Sequence, residues 1–231
     1  MRKLGLIGGI SWISTRAYYE RINKLVQKNA APMASAPLLI ESLDYAQLSG
    51  PKQPEDWQRV ETILTESAQR LEGAGAEALV IAANTMHKVY DTIAAGVGIP
   101  VLHIADCVGQ KLQDDGVTSA ALIGTRYVMT ESFYRHRLVA HGVDLLPPNA
   151  DEVEMVDGII YKELMLGRVT RSAERELKTI ITRKERDGAA AVVLACAELE
   201  LVVDTNANVL PVYDSTEIHC QRAADWILGA D

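Results

Sequence analysis

The chain has 231 residues, 48% hydrophobic and 23% charged, with a formal net charge of −8. That length holds one large domain or two of about 100–120 residues, with the balance of a soluble globular protein. The negative charge argues against a nucleic-acid or anionic-membrane surface, and no apolar run approaches the length needed to span a bilayer. The N-terminus, Met1-Arg2-Lys3-Leu4, runs straight into a strand pattern and is too short for a signal peptide. The three cysteines, Cys107, Cys196 and Cys220, lack CxxC spacing. They imply a reducing, cytoplasmic compartment, no disulfide framework and no metal cluster.

In chain order, a strand is expected over Lys3–Ile7, a helix over Thr15–Lys28, a strand over Pro37–Leu43 and a helix over Glu55–Glu72. Strand Ala78–Ala82 and helix Met86–Ala94 follow, then strands Val101–Ile104 and Ser119–Ile123. Helices Thr130–Ala140, Glu152–Leu166 and Ser172–Asp187 precede strands Ala191–Ala195 and Val209–Val212, and helix Thr216–Leu228 closes the chain. Continuous apolar strands suit sheets buried on both faces, and their alternation with helices implies parallel order. Cys107 and Cys220 fall inside helix patterns and read as packing residues.

The chain also repeats itself. GAEALVIAANTMH, from Gly75 to His87, aligns with GAAAVVLACAELE, from Gly188 to Glu200, so that Ala83 pairs with Cys196 at an offset of 113 (196−83). Leu6-Ile7-Gly8-Gly9 matches Leu122-Ile123-Gly124-Thr125 at an offset of 116 (122−6), and Ile99-Pro100-Val101 matches Leu210-Pro211-Val212 at 111 (210−99). Asp106 and Asp214 follow those prolines. The expected architecture is α/β: two pseudo-symmetric doubly wound lobes with mainly parallel sheets and an active-site cleft between them. One lobe takes 1–101 plus 212–231, the other 102–211. Ligands of open parallel sheets bind at the carboxyl ends of the strands, where Ala83 and Cys196 both fall.

Three strand-end turns suit a small carboxylate: Gly8-Gly9-Ile10-Ser11-Trp12, Asn84-Thr85-Met86-His87 and Gly124-Thr125. Glycine admits a ligand close to the backbone, and Thr85 reads as an N-cap whose helix start offers free N–H groups. The GxGxxG spacing of a dinucleotide site is absent. Cys196 competes between a packing role and a reactive one. A strand end ahead of a helix start lowers a thiol pKa from about 8.5 and favours a thiolate nucleophile or base. His103 reads as structural, while His87 and His219 lie near strand-end motifs as orienting candidates.

These residues resemble the aspartate/glutamate racemase family, the amino-acid racemases that use no pyridoxal phosphate. The resemblance spans the chain through Leu-Ile-Gly-Gly-Ile-Ser-Trp (6–12), Asn-Thr-Met-His (84–87), Leu-His-Ile-Ala-Asp (102–106), Leu-Ile-Gly-Thr (122–125), Leu-Ala-Cys-Ala-Glu (194–198) and Asp-Ser-Thr-Glu-Ile-His (214–219). It implies a homodimer, a small-molecule amino-acid substrate, no cofactor, and two cysteines flanking the substrate α-carbon. It maps carboxylate binding onto Ser11, Asn84, Thr85 and Thr125. Lys162 is a candidate for a side-chain carboxylate with Arg126 as a further cation, and Glu198 joins His87 and His219 as an orienting candidate. Two positions depart from the pattern. Ala83 stands where the first cysteine belongs, and Ala197 where a threonine usually follows the second. Three explanations stay open: an engineered alanine, a natural enzyme using water or another group on that side, and one-sided chemistry. The leading expectation is an amino-acid racemase of the aspartate/glutamate type with Cys196 as surviving acid or base and reduced racemisation. The alternatives are a single-cysteine decarboxylase of the arylmalonate type and a non-catalytic amino-acid or dicarboxylate binder.

Overall fold

A computed structural model describes residues 1–48, 50 and 53–230. The chain divides into two units: residues 1–103 with the segment from His219 onward, and Ile104–Ile218. The first holds β1 (Leu4–Gly8), α1 (Trp12–Asn29), β2 (Leu38–Ser42), α2 (Pro54–Gly73), β3 (Ala78–Ile81), α3 (Tyr90–Ala95) and β4 (Val101–Leu102). Its sheet runs in the order β2-β1-β3-β4, parallel throughout. The second holds α4 (Ile104–Asp114), β5 (Ser119–Gly124), α5 (Arg126–Thr130), α6 (Ser132–Ala140), β6 (Asp144–Leu145), α7 (Ala150–Lys162), α8 (Arg171–Arg186), β7 (Ala191–Ala195) and β8 (Val212–Asp214). Its parallel sheet has the order β6-β5-β7-β8, the same topology shifted by four strands. The closing helix α9 (Ser215–Leu228) passes from the second unit to the first.

The strand registers carry the repeat. Leu4 pairs with Ala78 as Ala120 pairs with Ala191, giving offsets of 116 (120−4) and 113 (191−78). Val101 and Val212, the β4 and β8 equivalents, differ by 111 (212−101). These are the three offsets of the sequence repeat. Gly75 and Gly188, which precede β3 and β7, both have positive φ, 93° and 96°. The same reversal thus ends α2 and α8, at a backbone conformation that only glycine adopts without strain.

Each sheet is covered on both faces, which is why β1, β3 and β7 are buried at every position. In the first unit, Leu64, Ala68 and Leu71 of α2 pack with Leu79 and Ile81. Tyr18, Ile22 and Val26 of α1 and Ala223, Ala224 and Ile227 of α9 pack with Leu4, Leu6 and Val80. In the second, Val153, Val156 and Ile160 of α7 and Leu177 and Ile181 of α8 join Ile123, Val192 and Leu194. Val108 and Leu112 of α4 and Tyr134 and Leu138 of α6 join Ala120, Leu122 and Val193. Each fully buried Leu or Ile stabilises by about 1.5–3 kcal/mol. The helices carry their own punctuation. Thr170 Oγ1 accepts from Ala173 N at 3.1 Å to start α8, whose last turn holds Arg183, Lys184 and Arg186 against the helix dipole. Among the described residues no helix is long and apolar enough to cross a membrane.

The structure corrects several boundaries. The chain leaves the second unit after Ile218, not at 211, because β8 pairs with β7 and belongs to that sheet. The last strand starts at Val212 rather than Val209: Pro211 has no N–H, and its carbonyl instead accepts from Val192 N at 2.9 Å. The stretch expected as helix Met86–Ala94 is a 3-10 helix, Thr85–Val89, followed by the short α3. The two-residue β6 and the helix α4 add to the expected elements.

Candidate active site

In the first unit, β1 and β3 lie side by side and parallel, so the turns after Gly8 and Ile81 leave the same edge of the sheet. Gly9 has φ 75°, and a Cβ there would lie 2.1 Å from the Leu43 carbonyl oxygen, so only glycine fits. Its N–H donates to Thr15 Oγ1 at 2.8 Å, and that hydroxyl donates to the Ser11 carbonyl at 2.8 Å. Ser11 is the N-cap of α1, its hydroxyl oxygen accepting from Ser14 N at 3.3 Å. Ser14, a residue the motif reading missed, donates from Oγ to the Ala82 carbonyl at 2.6 Å and ties α1 to the end of β3.

Ala83 follows, partly buried against the α2 face of the core. Its carbonyl accepts from His87 Nδ1 at 2.9 Å, which places the proton of that imidazole on Nδ1. His87 thus ties the 3-10 helix back to the backbone of the strand end. Asn84, not Thr85, occupies the cap position of the 3-10 helix, and it makes no capping bond. Its Oδ1 is buried without a hydrogen-bond partner. Thr85 is the first residue inside that helix.

His87 belongs to a ring cluster with half-buried Tyr90 and the buried His103 and His219. His219 uses both ring nitrogens: Nε2 donates to the Leu102 carbonyl at 3.1 Å, and Nδ1 accepts from Tyr18 OH at 2.8 Å. Burial above all, then nearby His87, push its pKa down to about 3, so the ring is neutral. Its observed work is to bind α9 to β4 and α1.

In the second unit, Gly124 of β5 lies opposite Ala195 of β7, so Thr125 and Cys196 step off neighbouring strands together. A Cβ on Gly124 would meet the Ala195 carbonyl oxygen at 2.7 Å, and the glycine permits this close approach. Thr125 is buried at the start of α5. Asp157 of α7 accepts from Arg126 N at 2.7 Å and lies 4.0 Å from its Nε. Lys162 is exposed in the last turn of α7.

Cys196 is 8% exposed, in extended backbone ahead of a five-residue 3-10 helix, Ala197–Leu201. Its Sγ donates to Glu198 Oε2 at 3.0 Å. Burial, the Glu198 charge and hydrogen bond, and Asp157 hold the thiol well above its ordinary pKa. This overturns the expected thiolate. The short 3-10 turn offers little dipole, and two carboxylates oppose a second negative charge. Spacing could signal Glu198, two residues on, whereas Asp157 carries no local signal. Among the described residues no group of three His, Cys, Asp or Glu could hold a metal ion.

The sequence model of the Asp/Glu/hydantoin racemases matches residues 7–223. The chain belongs to that family. A candidate Asp/Glu racemase from Yersinia pestis is 38% identical, with 99% of this chain and 100% of that one covered and a TM-score of 0.91. An aspartate racemase homologue from Pyrococcus horikoshii OT3 is 32% identical over 99% and 100% of the two chains, at a TM-score of 0.85. The broad specificity amino-acid racemase RacX of Bacillus subtilis (strain 168) is 20% identical over 163 residues, 71% of this chain and 70% of that protein. Arylmalonate decarboxylase shares the fold alone, at 14% identity over 100% of this chain and 94% of that one, with a TM-score of 0.57. Family membership thus makes this chain a racemase-type protein.

Proposed function

We propose that this chain moves the α-proton of an amino acid of the aspartate/glutamate type, by cofactor-independent thiol chemistry at Cys196. One observation carries the reading. A buried, hydrogen-bonded thiol ends β7, and the register-equivalent end of β3 carries Ala83. Ser11, Asn84, Thr85 and Thr125, all on strand-end turns, are the donors proposed for the substrate α-carboxylate. Donors fixed in a buried site stabilise the charge that develops as the α-proton leaves. Arg126 and Lys162 are the cations proposed for an acidic side chain.

Alanine neither accepts nor donates a proton. The reading therefore gives Cys196 the α-proton of one enantiomer and leaves the opposite face to solvent. A chiral assay across aspartate, glutamate and neutral amino acids tests it. Slow racemisation of at least one of them is expected, falling about 100-fold or more in Cys196→Ala. Turnover equal in the wild type and that variant would overturn the thiol mechanism. A binder predicts a different pattern: Cys196→Ser keeps calorimetric affinity and no substrate turns over. The single thiol also suits a decarboxylase, so carbon dioxide release from 2-substituted malonates, without racemisation, would favour that reading instead.

A further inference from the structure

The two sheets differ at one edge. In the first unit β2 pairs with β1 along the whole strand, Leu4–Gly8 against Leu38–Ser42. In the second, β6 pairs with β5 only through Ser119 with Asp144 and Ala120 with Leu145. Leu146 N still donates to the Ala120 carbonyl at 3.0 Å. Bonding alternates along a parallel ladder, so the next acceptor on this flank is the Leu122 carbonyl, and its donor would be residue 148. Pro147 and Pro148 follow Leu146, and proline has no N–H to give. The ladder stops there. Leu6, the equivalent of Leu122 in the first unit (122−116), is instead paired with Ile40. A pocket of about 360 Å³, counting its open mouth, lies at this gap, with Leu122 and Pro148 in its lining and apolar walls from Val153, Val156 and Ile180. Glu152, Lys184 and Arg135 line it as well. Glu152 and Lys184 compensate each other at 2.5 Å, with one exposed cation, Arg183, and one exposed carboxylate, Asp187, beyond them at 3.7 and 4.0 Å. Arg135 has no such partner. Its Nη1 and Nη2 donate to the Leu145 and Leu146 carbonyls at 3.0 and 3.1 Å, and no carboxylate pairs with it among the described residues. Partial burial lowers its pKa, the mark of a cation that has lost water without gaining a counter-charge.

We propose that this pocket is a second ligand site, for a small carboxylic acid with a branched aliphatic body and an amino or hydroxyl group on its α-carbon. The carboxylate supplies the counter-charge that Arg135 lacks, and guanidinium–carboxylate pairing is strong and directional. The α-substituent donates to the Leu122 carbonyl in place of the N–H that Pro148 cannot offer. The branched chain covers Val153, Val156 and Ile180, so a few polar groups orient the ligand and apolar walls hold it. The site is separate from the strand-end turns, since neither Thr125 nor Cys196 lines it. It stands whether or not Cys196 moves a proton.

Methyl NMR of the carbon-13-labelled protein reads occupancy directly, with the Ile180 signal assigned by Ile180→Val. L-Leucine and 2-hydroxy-4-methylpentanoate are each expected to shift that signal saturably, and the tighter of the two shows which α-group the site takes. In the wild type, 4-methylpentanoate, which lacks the α-donor, is expected to bind roughly threefold or more weakly. The uncharged 4-methylpentanamide is expected to bind about tenfold or more weakly than 4-methylpentanoate. Val153→Phe, which occupies the pocket without touching a charge, is expected to abolish the ligand-induced shift, and Arg135→Met to weaken binding about tenfold. The ligand comparisons need no variant, so they decide the role of Arg135 even where Arg135→Met does not fold. An Ile180 signal that moves with none of the probes overturns the site. Equal affinity for 4-methylpentanoate and its amide overturns the pairing with Arg135, and equal affinity with and without the α-group overturns the part given to Leu122. Binding that survives Val153→Phe unchanged lies elsewhere on the protein and overturns the proposal as well.

Discussion

Burial pushes His219 and Cys196 toward their neutral forms by opposite shifts: the imidazole is pushed down to about 3, the thiol well above its usual value. For His219 the consequence is a stability that depends on pH. The unfolded ring gains its proton near pH 6.5, the folded one only near 3. Between those values the unfolded chain binds more protons, so stability rises with pH. The contribution is fully present above the unfolded value and is lost as pH falls from about 6.5 toward 3. His219→Gln is expected to lower Tm at pH 7.5, through loss of the Tyr18 and Leu102 hydrogen bonds. It should also shrink the further drop in Tm between pH 7.5 and 5. Thermal melts of both proteins across that range check this, and parallel profiles would remove His219 from the acid response.

Two glycines give opposite predictions at the level of elements. Gly124 of β5 lies opposite Ala195 of β7, whose carbonyl oxygen is 2.7 Å from where a Cβ would sit. Gly124→Ala must part the strands and is expected to cost about 1–3 kcal/mol while displacing the residue ahead of Cys196. Gly158 lies inside α7 with nothing within 4 Å of its Cβ position. Gly158→Ala is expected to stabilise by about 0.5–1 kcal/mol. Urea midpoints should move down for the first and up for the second. The elements legible in the sequence were those whose pattern is long: β1, β3, β5 and β7 as apolar runs, and α2, α8 and α9 as amphipathic ones. Only Asp144 and Leu145 pair in β6, too short to show a period. The α4 helix carries Ile104, Ala105, Val108 and Leu112 at helical spacing, but the apolar run from Val101 reads as one strand through Ile104. Pro211 ends one reading and begins another, since a strand pattern cannot show which backbone donors are needed.

At the scale of the whole chain, duplication was the most legible feature, because the strand registers return the same offsets of 116, 113 and 111 found in the letters. The placement of the candidate residues in the fold was legible, and the surroundings of the thiol were not. Cys196, Thr125, Asn84 and Ser11 all stand at strand ends, yet the thiol's state depends on Asp157 from a distant helix and on burial, which no local motif records. One consequence of broken symmetry can be measured. No catalyst changes the equilibrium between enantiomers, so two-sided chemistry shows itself in the ratio of inversion to α-proton exchange. Under the proposed mechanism a lone thiol returns the proton to the face it came from, and label is expected to enter one enantiomer faster than inversion proceeds. Ala83→Cys supplies a second thiol at the equivalent strand end, and if both ends serve one α-carbon, inversion should rise toward the exchange rate, by roughly 100-fold if the gain matches general acid–base catalysis. Proton NMR in D₂O follows exchange while chiral chromatography follows inversion. Equal label uptake by both enantiomers in the wild type would place a second acid or base on the Ala83 side, and an unchanged inversion rate in Ala83→Cys would show that the two strand ends do not share a substrate.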